Sequence, residues 1–207
     1  MKKLSEQDID RRLKEAIANR TSLPLQKLIS DLLDTFSLTL EHAEDEFVFP
    51  ARESTVRERI FGGQVIAQAM IAANHTVGEE KQIHSLHSYF LRAGDEKKDL
   101  HFKVHRDFDG RTISNRRVVV RQDQKVIFNL TASFQKPLEG PHHQIVMPDV
   151  LPPEECRNTE QYLDYIARNP AIPDNRIKRM TMPRPFEICH SRPKNREQVT
   201  RQYQWIK

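Results

Sequence analysis

The chain has 207 residues, of which 37% are hydrophobic and 30% charged, and its formal net charge is +4. This balance is typical of a soluble globular protein with one large domain, or one domain and part of another. Apolar runs fall short of the ~18 residues that a membrane-spanning helix needs, and the N-terminus lacks the apolar core of a signal peptide. Two cysteines are too few for a disulfide framework, so an intracellular compartment is expected.

Charge is spread unevenly along the chain. Residues 1–50 carry seven Lys or Arg against ten Asp or Glu, whereas residues 171–207 carry nine against three. A basic end can bind an anionic partner, such as nucleic acid or the phosphates of coenzyme A, or it can be a solvated face. Nucleic-acid binding is disfavoured because these basic residues lack interleaved aromatic residues and a known motif.

The first 60 residues predict short elements. Apolar residues at helical spacing predict amphipathic helices over residues 5–20 and 25–36, separated at Pro24. Residues 37–41 and 46–49 read as strand pieces, and a charged loop follows.

A pair of glycines then precedes an Ala-rich run. The sequence Phe61-Gly62-Gly63-Gln64-Val65 begins a predicted helix over residues 62–77 that is apolar on nearly all sides. Such a helix must be covered by other elements, and the strands that follow it are the candidates.

Four strands are predicted after this helix, at residues 81–91, 100–108, 111–122 and 125–135. Asp109-Gly110 is the strongest signal for a two-residue hairpin turn, and Asp123-Gln124 separates the last two strands. One helix with long antiparallel strands and no βαβ rhythm predicts an α+β domain whose sheet curls around the helix.

The composition changes again after residue 136. Five prolines within residues 137–153 indicate an extended linker. A helix is predicted over residues 158–167, followed by strand-like pieces at 185–189 and 202–206.

Gly62 and Gly63 are candidates for binding a reacting carbonyl. A helix N-terminus offers unpaired N–H groups, and glycines allow close approach of a substrate. Directed at a carbonyl group, such groups would stabilise the oxyanion that forms when water attacks. The alternative is that the glycines permit tight packing where the chain enters the helix.

His84 and His87 are potential metal ligands by residue type. Residues three apart in a regular strand point to opposite faces, so they do not share an ion, and no metal site is predicted. One of the two is expected to face the helix and line the cleft, and the alternative for each is a structural histidine. A nucleophile elbow, a dinucleotide fingerprint and a P-loop are all missing from the sequence.

Several long motifs occur in a fixed order: residues 61–65, 84–95, 116–118 and 131–135. Together they resemble the type II acyl-CoA thioesterases, which include bacterial thioesterase B and peroxisomal acyl-CoA thioesterases. The resemblance implies an α+β hot-dog fold, in which a curved antiparallel sheet wraps a central helix, present twice in tandem. It also implies the domain limits: an N-terminal extension over 1–24, a first hot dog over 25–136, a Pro-rich linker over 137–156, and the start of a truncated second hot dog over 157–207.

The resemblance implies hydrolysis of fatty acyl-CoA to free fatty acid and CoA. In the family, an acidic residue, a hydroxyl residue and a glutamine activate water, and they lie in second-domain motifs such as Asp-His-Ser and Met-Trp-Phe-His. Neither motif occurs here. No catalytic residue can therefore be assigned, and the 207-residue chain is expected to be inactive or weakly active. The alternative is a non-catalytic hot-dog module that binds acyl-CoA or a partner subunit.

Six residues are the candidates for substrate binding: Gly62, Gly63, Gln64, His84, His87 and Arg117. Either Arg116 or Arg117 could meet a CoA phosphate, or both could be ordinary surface residues. No cofactor is implied, and the expected partners are acyl-CoA and a second copy of the chain. The expected compartment is the peroxisome or the cytoplasm, although the last residues, Trp205-Ile206-Lys207, are not a peroxisomal tripeptide.

Overall fold

The computed structural model describes residues 4–40, 44–51, 59–156, 159–191 and 203–206. Its helices are α1 (Glu6–Arg20), α2 (Leu25–Asp34), α3 (Gly62–Asn74), α4 (Thr159–Arg168) and α5 (Asp174–Met180). Its strands are β1 (Thr39–Leu40), β2 (Glu46–Phe49), β3 (Gln82–Phe90), β4 (Leu100–Asp109), β5 (Ile113–Gln122), β6 (Lys125–Gln135), β7 (Ile188–Ser191) and β8 (Tyr203–Ile206). None of the helices in the described ranges combines the length and the apolar composition of a membrane span.

The chain divides into two compact units. Leu33–Pro141 forms one, and Met1–Leu32 together with His142–Lys207 forms the other. The described part of the first unit contains a six-stranded antiparallel sheet in the order β1-β2-β4-β5-β6-β3. Helix α3 packs on one face of this sheet, which is the predicted α+β hot-dog arrangement.

The core of this unit lies between α3 and the sheet. Alternate residues of β4, β5 and β6 are buried and face the helix, as their two-residue side-chain period requires. The helix contributes Val65 and three small residues, Ala69, Ala72 and Ala73, all of which are buried. Small side chains on this stripe bring the helix close to the large side chains of the sheet, among them Phe102, Phe128 and Phe134.

Helix α3 ends at Asn74, three residues before the predicted end at residue 77. Thr76 explains the early end, because its backbone and side chain are engaged elsewhere. Its N–H and hydroxyl both donate to the carbonyl of Ala73, and its own carbonyl accepts from Arg116.

The predicted two-residue turn at Asp109-Gly110 is wrong. Strand β4 continues through Asp109, residues 110–112 form the connection, and the Gly110 N–H donates to the Ile113 carbonyl over 2.8 Å. The two-residue turn lies one hairpin later, where Asp123 and Gln124 have φ values of 48° and 64°. Two consecutive positive φ angles give a turn whose twist matches that of the flanking strands.

The other unit is built around α1, α4 and α5. Ser5 and Asp8 form a reciprocal capping box at the start of α1. The buried Arg12 donates from α1 to the carbonyls of Ala167 and Asn169 at the end of α4, where helix carbonyls lack partners. Helix α5 was not predicted, because seven residues give too short a pattern to recognise.

Strands β7 and β8 form a small antiparallel pair in the same unit. The carbonyl of Leu151 accepts hydrogen bonds from the Ser191 hydroxyl and from the Trp205 indole N–H, at 2.7 and 3.0 Å. These two bonds fix both strands to the residues that precede α4.

Candidate functional site

The N-terminus of α3 is capped by backbone alone. Phe61 is the N-cap residue, and its carbonyl accepts from the N–H groups of Gln64 and Val65 at 3.0 and 3.4 Å. Among the described residues, nothing accepts a hydrogen bond from the N–H groups of Gly62 and Gly63. These two donors lie at the positive end of the helix dipole, so this end of α3 favours a partly negative oxygen.

Both glycines lie against aromatic rings. A Cβ atom added at Gly62 would be 3.0 Å from Cζ of Phe90, and one added at Gly63 would be 2.6 Å from Cε1 of Phe61. Neither glycine has a positive φ angle. Because the glycines have no side chain, an aromatic ring packs closely against the backbone at both positions. This agrees with the alternative that the glycines permit tight packing at the start of the helix.

A cleft of about 460 Å³ opens beside the first turn of α3. We call it the α3 cleft; its lining residues are Ile60, Gly62, Val65, Phe90, Leu91, Arg92, Ala93, Gly94, Ile127 and Phe128. Val65, Ile127 and Phe128 are buried and form its apolar floor. Among the described lining residues, Arg92 alone carries a charge, so the cleft combines an apolar interior with one cation.

The segment after β3 is held at the cleft by backbone hydrogen bonds. The N–H groups of Leu91 and Arg92 both donate to the carbonyl of Ile127, at 2.9 and 3.1 Å. The Arg92 guanidinium donates to the carbonyl of Val126 over 2.6 Å, yet the residue is exposed. The backbone N–H and one guanidinium nitrogen of Arg92 are thus held by carbonyls of β6, and the guanidinium has further N–H donors available at the surface.

The loop beyond Arg92 is fixed by a side-chain amide. Gln122 is buried; its Oε1 accepts from the Asp95 N–H, and its Nε2 donates to the carbonyls of Asp95 and Lys98. Gly94 packs tightly at this rim, since a Cβ there would lie 3.0 Å from Cδ1 of Ile60. The loop that forms this wall of the cleft is therefore held by the hydrogen bonds of Gln122 and by the packing of Gly94.

His84 and His87 lie on the other face of the sheet. His84 occupies a bulge in β3, and its Nε2 is 2.9 Å from Oγ of Ser133, on the face of β6 that points away from α3. His87 is opposite the exposed Thr131 and stacks edge-on against Tyr89. The expectation that one of them faces the helix is wrong, because the bulge shifts the alternation by one residue.

Arg117 is also on this outer face, where it pairs with Asp107 at 3.2 Å. Arg116 points the opposite way and is 1% exposed. Its guanidinium donates to the hydroxyl and carbonyl of Thr76, to the carbonyls of Phe108 and Asn115, and to the Asp109 carboxylate. Arg116 is thus a structural residue and is not available to a CoA phosphate.

Of the six predicted substrate-binding residues, the structure places Gly62 in the α3 cleft, with Gly63 and Gln64 in the adjoining first turn. His84, His87 and Arg117 lie on the outer face of the sheet, outside the lining of the cleft, and a role for them in substrate binding stays a prediction. The cleft adds Phe90, Arg92 and Ile127. In the sequence, Phe90 and Arg92 lie near the end of a predicted strand. Ile127 lies in a bulge of β6, which the residue pattern does not reveal. In the described part of the chain, no group of His, Cys, Asp or Glu side chains is arranged to hold a metal ion.

Comparison with known proteins identifies relatives of this chain. A family model described as the acyl-CoA thioesterase N-terminal domain matches residues 49–135. Acyl-coenzyme A thioesterase 8 from Homo sapiens is 41% identical over 146 residues, which are 70% of this chain and 46% of that protein. The chain thus spans about half the length of this curated relative.

Solved structures agree. An acyl-CoA thioesterase II from Mycobacterium marinum superposes with a TM-score of 0.53 and 35% identity, covering 59% of this chain and 45% of that one. A protein of unknown function with a hot dog fold from Alicyclobacillus acidocaldarius gives a TM-score of 0.60 at 18% identity, covering 84% and 60% of the two chains. The second similarity supports the fold alone.

Proposed function

Because the chain belongs to the type II acyl-CoA thioesterase family, we propose that it serves the hydrolysis of fatty acyl-CoA to free fatty acid and CoA, and that the α3 cleft receives the substrate. The observation that carries this proposal is the juxtaposition in the cleft: an apolar floor, two N–H donors without a described acceptor at Gly62 and Gly63, and the exposed cation of Arg92. An acyl-CoA has matching parts, namely an apolar chain, a thioester carbonyl and phosphates.

The chemistry assigned to this domain is binding and stabilisation of charge. In thioester hydrolysis, water adds to the carbonyl carbon, negative charge develops on the carbonyl oxygen, and the carbon–sulfur bond then breaks to release CoA as the thiol. The N–H groups of Gly62 and Gly63 would donate to that oxygen, and one such donor is worth about 3 kcal/mol in well-studied enzymes. Activation of water is left to the second-domain motifs of the family, which this sequence does not contain.

We also propose that strand β3 pairs with a further hot-dog unit. β3 lies at the edge of the sheet and is bonded to β6 alone among the described strands, so its outer backbone groups are open to another strand. Leu86 and Phe90, on its helix side, are 40% and 55% exposed.

Residues 157–207 are proposed to begin a second hot dog, for which β7 and β8 supply an antiparallel pair. We propose in addition that the protein acts inside the cell, in the peroxisome or the cytoplasm.

Titration tests substrate binding directly. Decanoyl-CoA should bind more tightly than decanoate, and the difference should shrink at high salt because the phosphates and Arg92 are screened. Arg92→Gln should weaken decanoyl-CoA binding about fivefold at low salt, the contribution of one exposed ion pair. Arg121→Gln is the matched control, since Arg121 is also exposed and donates to a backbone carbonyl, that of Gln124, but lies on the outer face.

Two results would overturn the proposal. Equal affinities for decanoyl-CoA and decanoate at every salt concentration would leave no role for the CoA phosphates. A loss of affinity in Arg121→Gln that matched the loss in Arg92→Gln would locate the phosphate site on the outer face of the sheet.

A further inference from the structure

Phe90 is one of the residues that line the α3 cleft. On β3 it sits opposite Phe128, and the two ring centroids are 4.9 Å apart. On its other side, the ring touches the first turn of α3, so closely that a Cβ at Gly62 would contact Cζ and Cε1 at 3.0 and 3.1 Å. Phe90 therefore bridges the edge strand of the sheet and the start of the helix.

Apolar surface continues beyond this ring. Ile66 and Met70 follow Gly62 at intervals of four residues, so they lie along the same flank of α3, and both are partly buried against the core. On β3, Ser88 and Leu86 precede Phe90 at intervals of two and share its face. Leu86 is 40% exposed. Apolar side chains of α3 and β3 that do not line the cleft, Ile66, Met70 and Leu86, thus lie next to the elements that Phe90 bridges.

We propose that Phe90 sets the longest acyl chain that the α3 cleft accepts, because its ring, held between Gly62 and Phe128, stands between the cleft and the apolar side chains of Ile66, Met70 and Leu86. The inference rests on the proposed function. The occupant is the acyl chain of an acyl-CoA, since the cleft has an apolar floor and one cation, Arg92, at its surface. Each methylene buried in the cleft tightens binding about fourfold. The gain ends where the chain reaches the ring.

Gly62 is a positioning residue in this arrangement. A methyl group there would be tighter against the ring than ordinary van der Waals contact allows, so Gly62→Ala would displace Phe90 by a few tenths of an ångström. Gly63→Ala would press on Phe61 instead. The two neighbouring substitutions therefore separate an effect that passes through Phe90 from a general effect on the first turn of α3.

The experiment is a calorimetric titration of the 207-residue chain with hexanoyl-, octanoyl-, decanoyl- and dodecanoyl-CoA. In the unsubstituted chain, affinity should rise with length and then level off. In Phe90→Ala the rise should continue for at least two more methylenes, which makes the longest bound homologue about fifteenfold tighter than in the unsubstituted chain. Phe108→Ala is the control, because Phe108 has the same 55% exposure and lies in the β4–β5 hairpin, outside the cleft.

A double-substitution cycle tests the mechanism. Gly62→Ala should change the length profile in the presence of Phe90 and have no effect on it in Phe90→Ala, whereas Gly63→Ala should act independently of Phe90. An unchanged length profile in a folded Phe90→Ala, with intact binding of the shorter homologues, would overturn the role of Phe90 alone. If no homologue binds to the unsubstituted chain, the proposed function falls, and this inference falls with it. Phe90→Leu, which retains apolar volume, serves if the alanine variant does not fold.

Discussion

Two adjacent arginines on β5 have opposite environments. Arg116 is buried and uses its guanidinium to join the end of α3 to the β4–β5 hairpin through Thr76 and Asp109. Arg117 is on the outer face, where its side chain is 45% exposed and pairs with Asp107. The two residues are adjacent and of the same type, so the sequence alone does not distinguish their roles.

Replacing each arginine by methionine is expected to show the difference. Arg116→Met leaves the oxygens of Thr76 and neighbouring carbonyls without donors, so it should lower the free energy of unfolding by about 3 kcal/mol or more. Arg117→Met, the matched control, should change it by less than about 1 kcal/mol. Urea unfolding followed by circular dichroism measures both. Similar losses would mean that Arg116 does not hold the helix.

His105 is expected to make stability depend on pH. Burial, and then the neighbouring Arg117, lower the pKa of this imidazole, while Asp107 opposes them and Lys103 adds to them. The folded state thus favours the neutral form, whereas the unfolded chain takes up a proton below pH ~6.5, so stability should fall as pH decreases from 7 to 5. His105→Gln should flatten that slope, as measured by urea unfolding at pH 5, 6 and 7. Equal slopes would contradict this.

The carboxylates act in a lower window. The hydrogen bonds from Arg106 to Asp45 and from Arg116 to Asp109 lower the pKa of each carboxyl group. Their contribution is present above the ordinary pKa of ~4 and is lost as pH falls through the lower folded value. Measurements between pH 5 and 7 therefore avoid the titration of these two carboxyl groups, and the comparison with His105→Gln then reports on the His105 imidazole.

Among the elements, long regular patterns were the predictable part. The alternating burial of β6 and the apolar run of α3 both appear as expected, with strand bounds of Lys125–Gln135 identical to the prediction. The bulge at His84 was not predicted. Ile83 and Leu86 both face the helix although they are three residues apart, and the extra residue is accommodated by the pairing of β3 with β6. The contacts of Phe61 and Phe90 with the glycines depend likewise on tertiary packing.

The central position of α3 can be tested with two alanines of the same helix. Ala69 is 0% exposed and faces the sheet, whereas Ala67 is half-buried on another side. Ala69→Asp places an unpaired carboxylate in the core and should cost several kcal/mol or prevent folding, because a buried charge without a partner is strongly unfavourable. Ala67→Asp should cost about 1 kcal/mol, largely from its lower helix propensity. Equal tolerance in thermal unfolding would show that α3 is not central.

At the scale of the whole molecule, the sequence predicted the fold and the family but not the composition of the cleft. Gly62 was predicted as a substrate-binding residue, and it lines the cleft. Arg92 and Ile127 come from different parts of the chain and meet because two backbone N–H groups bond to one carbonyl in a bulged strand. A contact of this kind leaves no periodic residue pattern in a single sequence, so it could not be predicted from one.

The 207-residue chain is expected to release little thiol from an acyl-CoA on its own. The family's water-activating motifs do not occur in its sequence, and loss of a catalytic group removes most of a rate enhancement, leaving the part due to binding and oxyanion donors. An assay of thiol release from decanoyl-CoA measures this. Turnover comparable to that of a full-length relative would contradict it.

Hydrogen–deuterium exchange with and without decanoyl-CoA tests the central claim most directly. The N–H groups of Gly62 and Gly63 have no acceptor among the described residues, so they should exchange fast in the free chain. Bound ligand should slow exchange at residues 60–65 and 90–94, around the α3 cleft, and leave the outer-face residues of β4 and β5 unchanged. Protection centred on residues 101–107 and 115–121, with none at residues 60–65, would contradict the assignment of the cleft.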